Sequence, residues 1–383
     1  MSDRVVVLGA GYAGCVAIQT LERELDDADL TWVSDVDYHL VLHEVHRAIR
    51  DPAVREKITI PVEDLKAPST SFVRGTVVGV DTDARRIAID GADDVDYDYL
   101  LVALGSDTAF YGIPGVEERA HTLNGLDDAL AIHEAVLEAG QAASQRDPAR
   151  VVVGGAGLSG IQSAGEVAEL RDHEGLPVEV VLVEALEEVM PGFGRSVQRR
   201  IRRMLEARGI EVLTDDPVTE AGPVEIHFDE RSPMPYDVLV WTGGITGRDA
   251  FERATIENDH QRLATDATFR TSDDRVFAVG DAAVVDLDGG AAPPTAQAAW
   301  DAAAVAAGNL ARATDGQPPE RWTYRDKGTL VSVGEKAVAH DVMYLPVETF
   351  GGPAAVFLKK LVAARWIASV TSWRRGIAAW DVL

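Results

Sequence analysis

The stretch VVVGGAGLSGIQSAGEVAEL (residues 151–170) carries three signals in succession. Its opening run of β-branched valines reads as a strand buried on both faces. The spacing Gly155-x-Gly157-x-x-Gly160 reads as a tight turn, and IQSAGEVAEL reads as the helix leaving that turn. The same order stands near the N-terminus in RVVVLGAGYAGCVAIQTLE (residues 4–22), with Gly9, Gly11 and Gly14. The two motifs start 146 residues apart, a domain-sized interval. Two such units predict an α/β chain built on two parallel sheets.

The chemistry requires this arrangement. The first glycine makes the turn, the second lets backbone approach a pyrophosphate, and the third packs helix on strand. The pyrophosphate then lies at the positive end of the helix. A second strand follows each helix. DLTWVSD ends at Asp35, 21 residues beyond Gly14, and VEVVLVEA ends near Glu184, 24 beyond Gly160. An acid at that place accepts ribose hydroxyls; Ser34, just before Asp35, stands at the same position. Glu184 favours the 2′-hydroxyl of NADH and repels the 2′-phosphate of NADPH. The basic run RSVQRRIRRMLEAR (195–208) is read as the solvated face of a helix, the alternative being contact with a 2′-phosphate. A chain with two such sites is expected to hold a flavin in one and receive a nicotinamide in the other, so that hydride crosses between them.

Composition sets the bounds. The 383 residues, 46% of them hydrophobic, are enough for two or three domains with full cores. No run of about 18 apolar residues is present, so no membrane-spanning helix is expected. The N-terminal VVVLGAG is too short and glycine-broken for a signal peptide, and the expected location is the cytoplasm. A single cysteine, Cys15, excludes an internal disulfide, a C-x-x-C redox centre and a cysteine-rich metal site. It reads as a small packing residue, and no metal is expected. The net charge is −27, with acidic patches such as LDDAD, GADDVDYD and TSDDR. So acidic a surface repels nucleic acid, and the pattern resembles that of proteins from extreme halophiles.

Further segments carry a family resemblance. YDYLLVALGSDTAFYGIPG (97–115) resembles the segment leaving the flavin domain of flavoproteins with two dinucleotide-binding domains. YDVLVWTGGITG (236–247), which contains Gly243, resembles its counterpart closing the NADH domain. RVFAVGDAA (275–283) resembles their second flavin motif, which implies that Gly280 and Asp281 meet the flavin, the aspartate at its ribityl chain. PPTAQAAWDAAAVAAGNL (293–310) resembles a stretch of the type II NADH dehydrogenases (NADH:quinone oxidoreductases). The resemblance implies FAD and NADH as cofactors, a quinone acceptor, and a helix whose N-terminus faces the flavin. Ala296 and Gln297 match the family motif A-Q-x-x-x-Q; Asp301 replaces its second glutamine. Glu166 matches a family glutamate near the flavin–nicotinamide contact, with a structural role at a domain seam as the alternative reading. Glu166 and Gln297 are therefore the candidate catalytic residues. His43 and His46 lie in DYHLVLHEVHRA (37–48), which resembles the family's segment running past the flavin; each suits a structural or a redox-linked role.

The implied fold is two Rossmann-like dinucleotide-binding domains, for FAD and NADH, plus a C-terminal region with an amphipathic helix. Residues 1–116 and 248–318 form the flavin domain, 117–247 the NADH domain, and 319–383 the C-terminal region. TVVGVDTDARRIAID reads as a hairpin excursion, and TDGQPPER (314–321) as a linker. In 351–383 five basic residues stand against the single acid Asp381. Ala363, Trp366, Val370, Trp373, Ile377 and Trp380 recur at helical spacing. Tryptophans with arginines suit a helix lying on a membrane surface, which would place the protein peripherally on the inner face of the cell membrane. The same spacing suits a helix covered by the chain's own core or by a second copy in a homodimer. Other readings of the architecture are a soluble reductase for a protein carrier, a sulfide:quinone oxidoreductase, and a redox-sensing flavoprotein without turnover.

Overall fold

In the computed structural model, which describes residues 2–25, 28–252 and 254–383, both glycine motifs follow buried strands. Asp26 and Asp27 of the LDDAD patch lie outside the described residues. The first sheet is parallel and runs Val276–Ala278, Tyr99–Val102, Arg4–Leu8, Asp29–Ser34, Ser71–Arg74. The second repeats its core in the order Val238–Trp241, Ala149–Gly154, Val178–Val183, Ile210–Leu213. Strand order reverses on either side of Arg4–Leu8 and of Ala149–Gly154. Open α/β sheets bind ligands at the C-terminal ends of strands at such switch points, and both glycine loops lie there. Strands before and after the second sheet in sequence complete the first. The hairpin appears as Thr76–Asp81 paired with Arg86–Asp90.

Burial accounts for the valine-rich strands. Val5, Val6, Val7 and Leu8, and likewise Val151, Val152 and Val153, are buried because other elements cover the sheets; Val152 faces the antiparallel strands Val218–Ala221 and Glu225–Phe228, whereas Val151 and Val153 face helices. The helices Tyr12–Glu24 and Ala296–Thr314 pack against one another beside the first sheet. The second is alanine-rich on its buried side, with Ala299, Ala303, Ala306 and Ala307 in the core.

After 315–328, which contains neither helix nor strand, an antiparallel sheet runs Thr329–Val333, Lys336–His340, Thr349–Gly351. It packs on the helix Leu158–Glu174, where a Cβ on Gly165 would lie 2.5 Å from the Gly334 nitrogen. Two helices end the chain, Pro353–Val370 and Trp373–Ala378. Here the sequence expectation is corrected. The apolar stripe is not one outward face: Ala363, Trp366 and Val370 are buried against the chain's own core. The helix breaks at Thr371, and Ser372 caps the next one by accepting from the Arg375 N–H. Gly376, which interrupts the pattern, is a close-approach residue; its Cβ would lie 2.5 Å from the Ala364 carbonyl oxygen. Among the described residues no helix is long and apolar enough to cross a membrane.

Candidate functional site: two glycine loops and the seam between them

The two loops are near-copies at atomic detail. Gly9 and Gly155 take φ of +98° and +94°, left-handed backbone that favours glycine. A Cβ on Gly14 would lie 1.8 Å from the Gly9 carbonyl oxygen, and one on Gly160 1.8 Å from that of Gly155. These third glycines let helix press on strand. A Cβ on Gly11 or Gly157 would meet nothing within 4 Å, so the middle glycines face the open cradle that a diphosphate would fill. Gly243 closes the second loop: a Cβ on Gly155 would lie 2.9 Å from the Gly243 Cα. The donors, the space and the two helix N-termini fit dinucleotides at both loops.

The ribose-side residues fall at equivalent places, one residue past the second strand of each sheet. Asp35 is exposed, within 3.4 Å of the Arg248 guanidinium, and the buried Ser34 hydroxyl donates to it at 3.3 Å. The half-buried Glu184 accepts the Ala156 N–H at 2.7 Å and the Leu186 N–H at 3.0 Å. An open cavity begins beside it, lined by Leu186, Phe193, Arg195 and Arg199 among others.

Around the first loop three further elements converge. The turn Gly280–Ala282 presents Gly280 at φ +72°, and a Cβ there would lie 3.4 Å from Ala13 and 3.5 Å from Ala299. The first turns of two helices thus meet at Gly280, next to Asp281, whose carboxyl is pushed upward by burial against the opposing pull of Arg262. Thr295 caps the helix that starts at Ala296 by accepting the Ala298 N–H at 3.2 Å. Gln297 is tied to the backbone of residues 325–327. Its amide donates to the Arg325 carbonyl at 2.8 Å and accepts the Lys327 N–H at 3.3 Å, while Lys327 pairs with Asp301. In this chain the Gln297–Asp301 turn braces residues 325–327.

Glu166 lies at the seam. It sits on the helix Leu158–Glu174 of the second sheet, which packs on Arg47–Arg50 beside the first. Its carboxylate is fully buried, 3.3 Å from the Arg50 Nε, and neither oxygen makes a hydrogen bond. Burial raises its pKa; Arg50 and Arg47 oppose the rise. It is therefore a group suited to holding a proton in a dry seam.

Sequence reasoning missed a buried network from 37–48 to the C-terminal helix. Glu44 pairs with Arg47 at 2.5 Å and with Lys359 at 2.6 Å. Burial pushes Glu44 upward, but the two cations outweigh it and hold the carboxyl well below the usual range. Lys359 is lowered, chiefly by burial and further by the neighbouring Arg47, against the opposing pull of Glu44. His46 accepts from the Gln162 amide at 2.8 Å and reaches the Ser332 hydroxyl at 3.2 Å. His43 lies against the Tyr12 hydroxyl. Burial lowers His43 to about 4 and His46 well below its ordinary value, so both are neutral bases in the core. Cys15 is buried on the first helix and its thiol is raised by burial, as a packing residue would be.

A profile described as pyridine nucleotide-disulphide oxidoreductase matches residues 3–303. The chain belongs to this family. Within it, this oxidoreductase is 29% identical to the type II NADH:quinone oxidoreductase of Staphylococcus saprophyticus, over 94% of each chain. A structure of NDH2 from Plasmodium falciparum in complex with NADH superimposes with a TM-score of 0.85 at 17% identity, covering 100% of this chain and 97% of that one. The sulfide:quinone oxidoreductase of Aquifex aeolicus gives 0.78 at 18% identity, covering 98% and 93%. The family's name refers to a disulphide, yet this oxidoreductase has one cysteine, so electrons cannot pass to a cysteine pair of its own.

Proposed function

We propose that this oxidoreductase holds FAD on the Gly9–Gly14 loop, oxidises NADH bound on the Gly155–Gly160 loop, and delivers the electrons to a quinone. The single observation that carries the reading is the pair of matched dinucleotide cradles on two sheets, with the buried carboxyl of Glu166 beside Arg50 where the two sheets' helices pack. FAD, when bound, supplies hydride acceptance and onward electron transfer. The chain's own groups do the rest. The Gly11 and Gly157 loops bind the diphosphates, and Asp35 and Glu184 take the ribose hydroxyls. Asp281 takes the ribityl chain, and the helix starting at Ala296 turns its positive end toward negative charge. Glu166 holds a proton at its carboxyl oxygens beside Arg50.

The acceptor brings the protein to a membrane surface. The contact rests on the side chains the fold leaves outside: Phe357 at 56%, Trp373 at 66% and Ile377 at 71% exposure, with Arg365 and Arg374 exposed nearby. Hydrophobic burial and cationic attraction then act together, and salt screens only the second. A sulfide route is disfavoured by the burial of the only thiol.

Two assays test the reading. Purified protein should be yellow, bleached by NADH without oxygen, and restored in colour by a short-chain quinone. A bleached protein that quinone leaves colourless overturns the acceptor. In flotation at high salt, Trp373→Ser with Ile377→Ser should leave the lipid fraction while still reducing the short-chain quinone. Unchanged flotation overturns the docking surface.

A further inference from the structure

We propose that Trp366, on the C-terminal helix, is a positioning residue for the first glycine loop and that it acts through His39. The proposal rests on the assignment of FAD to that loop.

His39 is fully buried on the short strand Tyr38–Leu40. Its Nδ1 lies 2.9 Å from the Ala10 carbonyl oxygen, and its Nε2 lies 2.9 Å from the indole nitrogen of Trp366. A carbonyl only accepts and an indole N–H only donates. Both contacts are therefore hydrogen bonds in one state alone, the neutral ring protonated at Nδ1. Burial favours that state, lowering His39 to about 4.

Ala10 sits between Gly9 and Gly11. In a planar trans peptide the Ala10 C=O and the Gly11 N–H point in opposite directions. Holding the carbonyl toward His39 aims the Gly11 N–H away from it, on the residue whose surroundings are open. The indole of Trp366 also stacks on Trp300, with centroids 5.0 Å apart and an interplanar angle of 11°, and meets the Tyr12 ring edge-on at 4.8 Å. Tyr12 belongs to the loop and Trp300 to the helix that starts at Ala296. One side chain thus touches, directly or through His39, three residues of the flavin cradle, two in the loop and one on the helix that starts at Ala296. Two more contacts seat its helix: Lys359 on Glu44, and the Gln19 amide donating to the Val370 carbonyl at 3.1 Å. The C-terminal helix is a strap across the cradle, and its indole sets the aim of the loop donor.

The test is the rate of flavin release from the holoenzyme, read by the fluorescence FAD gains when free. Trp366→Phe keeps a ring for Trp300 and Tyr12 but removes the N–H. His39→Asn keeps a donor for Ala10 but removes the acceptor for Trp366. Each variant should speed release about tenfold, the scale of one buried hydrogen bond, and the double variant should release no faster than either. Release within twofold of the parent protein in both single variants overturns the proposal. So does additivity in the double variant, since the indole would then act by packing alone. If Trp366→Phe does not fold, His39→Asn carries the same test, and parent-like release in it overturns the proposal. Gly11→Glu separates the two readings. Protein that keeps its FAD with that carboxylate in the cradle refutes the flavin assignment, whereas unaltered release in the Trp366 and His39 variants refutes only the strap.

Discussion

The two glycine loops share a backbone and differ in what surrounds them. Around Gly9–Gly14 lie His39, Trp300, Trp366 and the Gly280–Asp281 turn, drawn from distant parts of the chain. Beside Gly155–Gly160 lie Glu184, the exposed Leu186 and an open cavity with Arg195 and Arg199. The first is roofed by four elements; the second opens to solvent on its ribose side. The proposed roles assign retention to the aromatic and histidine contacts laid over the first loop, and exchange to the open cavity beside its copy, which long-range contacts from Tyr111, Trp241 and Thr242 support on another side.

The largest effect should come from the third glycines. Gly14→Val places a side chain where even a Cβ would lie 1.8 Å from backbone, and Gly160→Val repeats the insult in the copy. Gly14→Val should purify without flavin. Gly160→Val should purify yellow and resist bleaching by NADH, seen in absorbance spectra of the two preparations. Identical losses would break the comparison.

Acid should act on the first region before the second. His39 and His43 both titrate at about 4 in the folded chain, below the 6.5 they regain on unfolding. As pH falls from 6.5 the unfolded chain binds protons first, so stability is lost through that window and levels off below about 4. Each shift is worth on the order of 3 kcal/mol. Glu166, raised by burial, works with the opposite sign and offsets part of the loss. Flavin release followed against pH should rise before NADH binding weakens; a flat Tm between pH 6.5 and 4 would contradict the buried-histidine account.

Lys359→Met would leave Glu44 with Arg47 alone in the core and should cost about 3 kcal/mol in chemical denaturation. The smallest effect belongs to the open site. Glu184→Ser should narrow the preference for NADH over NADPH about tenfold in kcat/KM, because one carboxylate no longer faces a 2′-phosphate. A parent enzyme that already uses NADPH better would show that Arg195 and Arg199 govern the cavity instead.

How far the sequence reaches follows the same division. Strands, turns and helix starts were legible because the decisive residues lie close together in the chain, as with Gly9, Gly11, Gly14 and Asp35, which span positions 9–35. The roof was not legible, because Trp366 meets His39 and Lys359 meets Glu44 across more than 300 residues. Helical spacing in the tail revealed that a face is buried but not what buries it, so Ala363, Trp366 and Val370 fitted lipid and core equally well. Ser372 was a local signal for the break: a serine before WRR is a helix cap in the sequence TSWRRG. Gln297 and Asp301 were placed by resemblance; the ion pair of Asp301, where the motif has its second glutamine, with Lys327 joins residues 26 positions apart.

The most direct test of retention against exchange is gel filtration of the holoenzyme preloaded with equimolar NAD⁺, with both nucleotides measured in the protein peak. The account predicts one FAD per chain eluting with the protein and NAD⁺ eluting among the small molecules. FAD trailing into the small-molecule fractions as freely as NAD⁺ would contradict it, because the two loops would then hold their ligands alike.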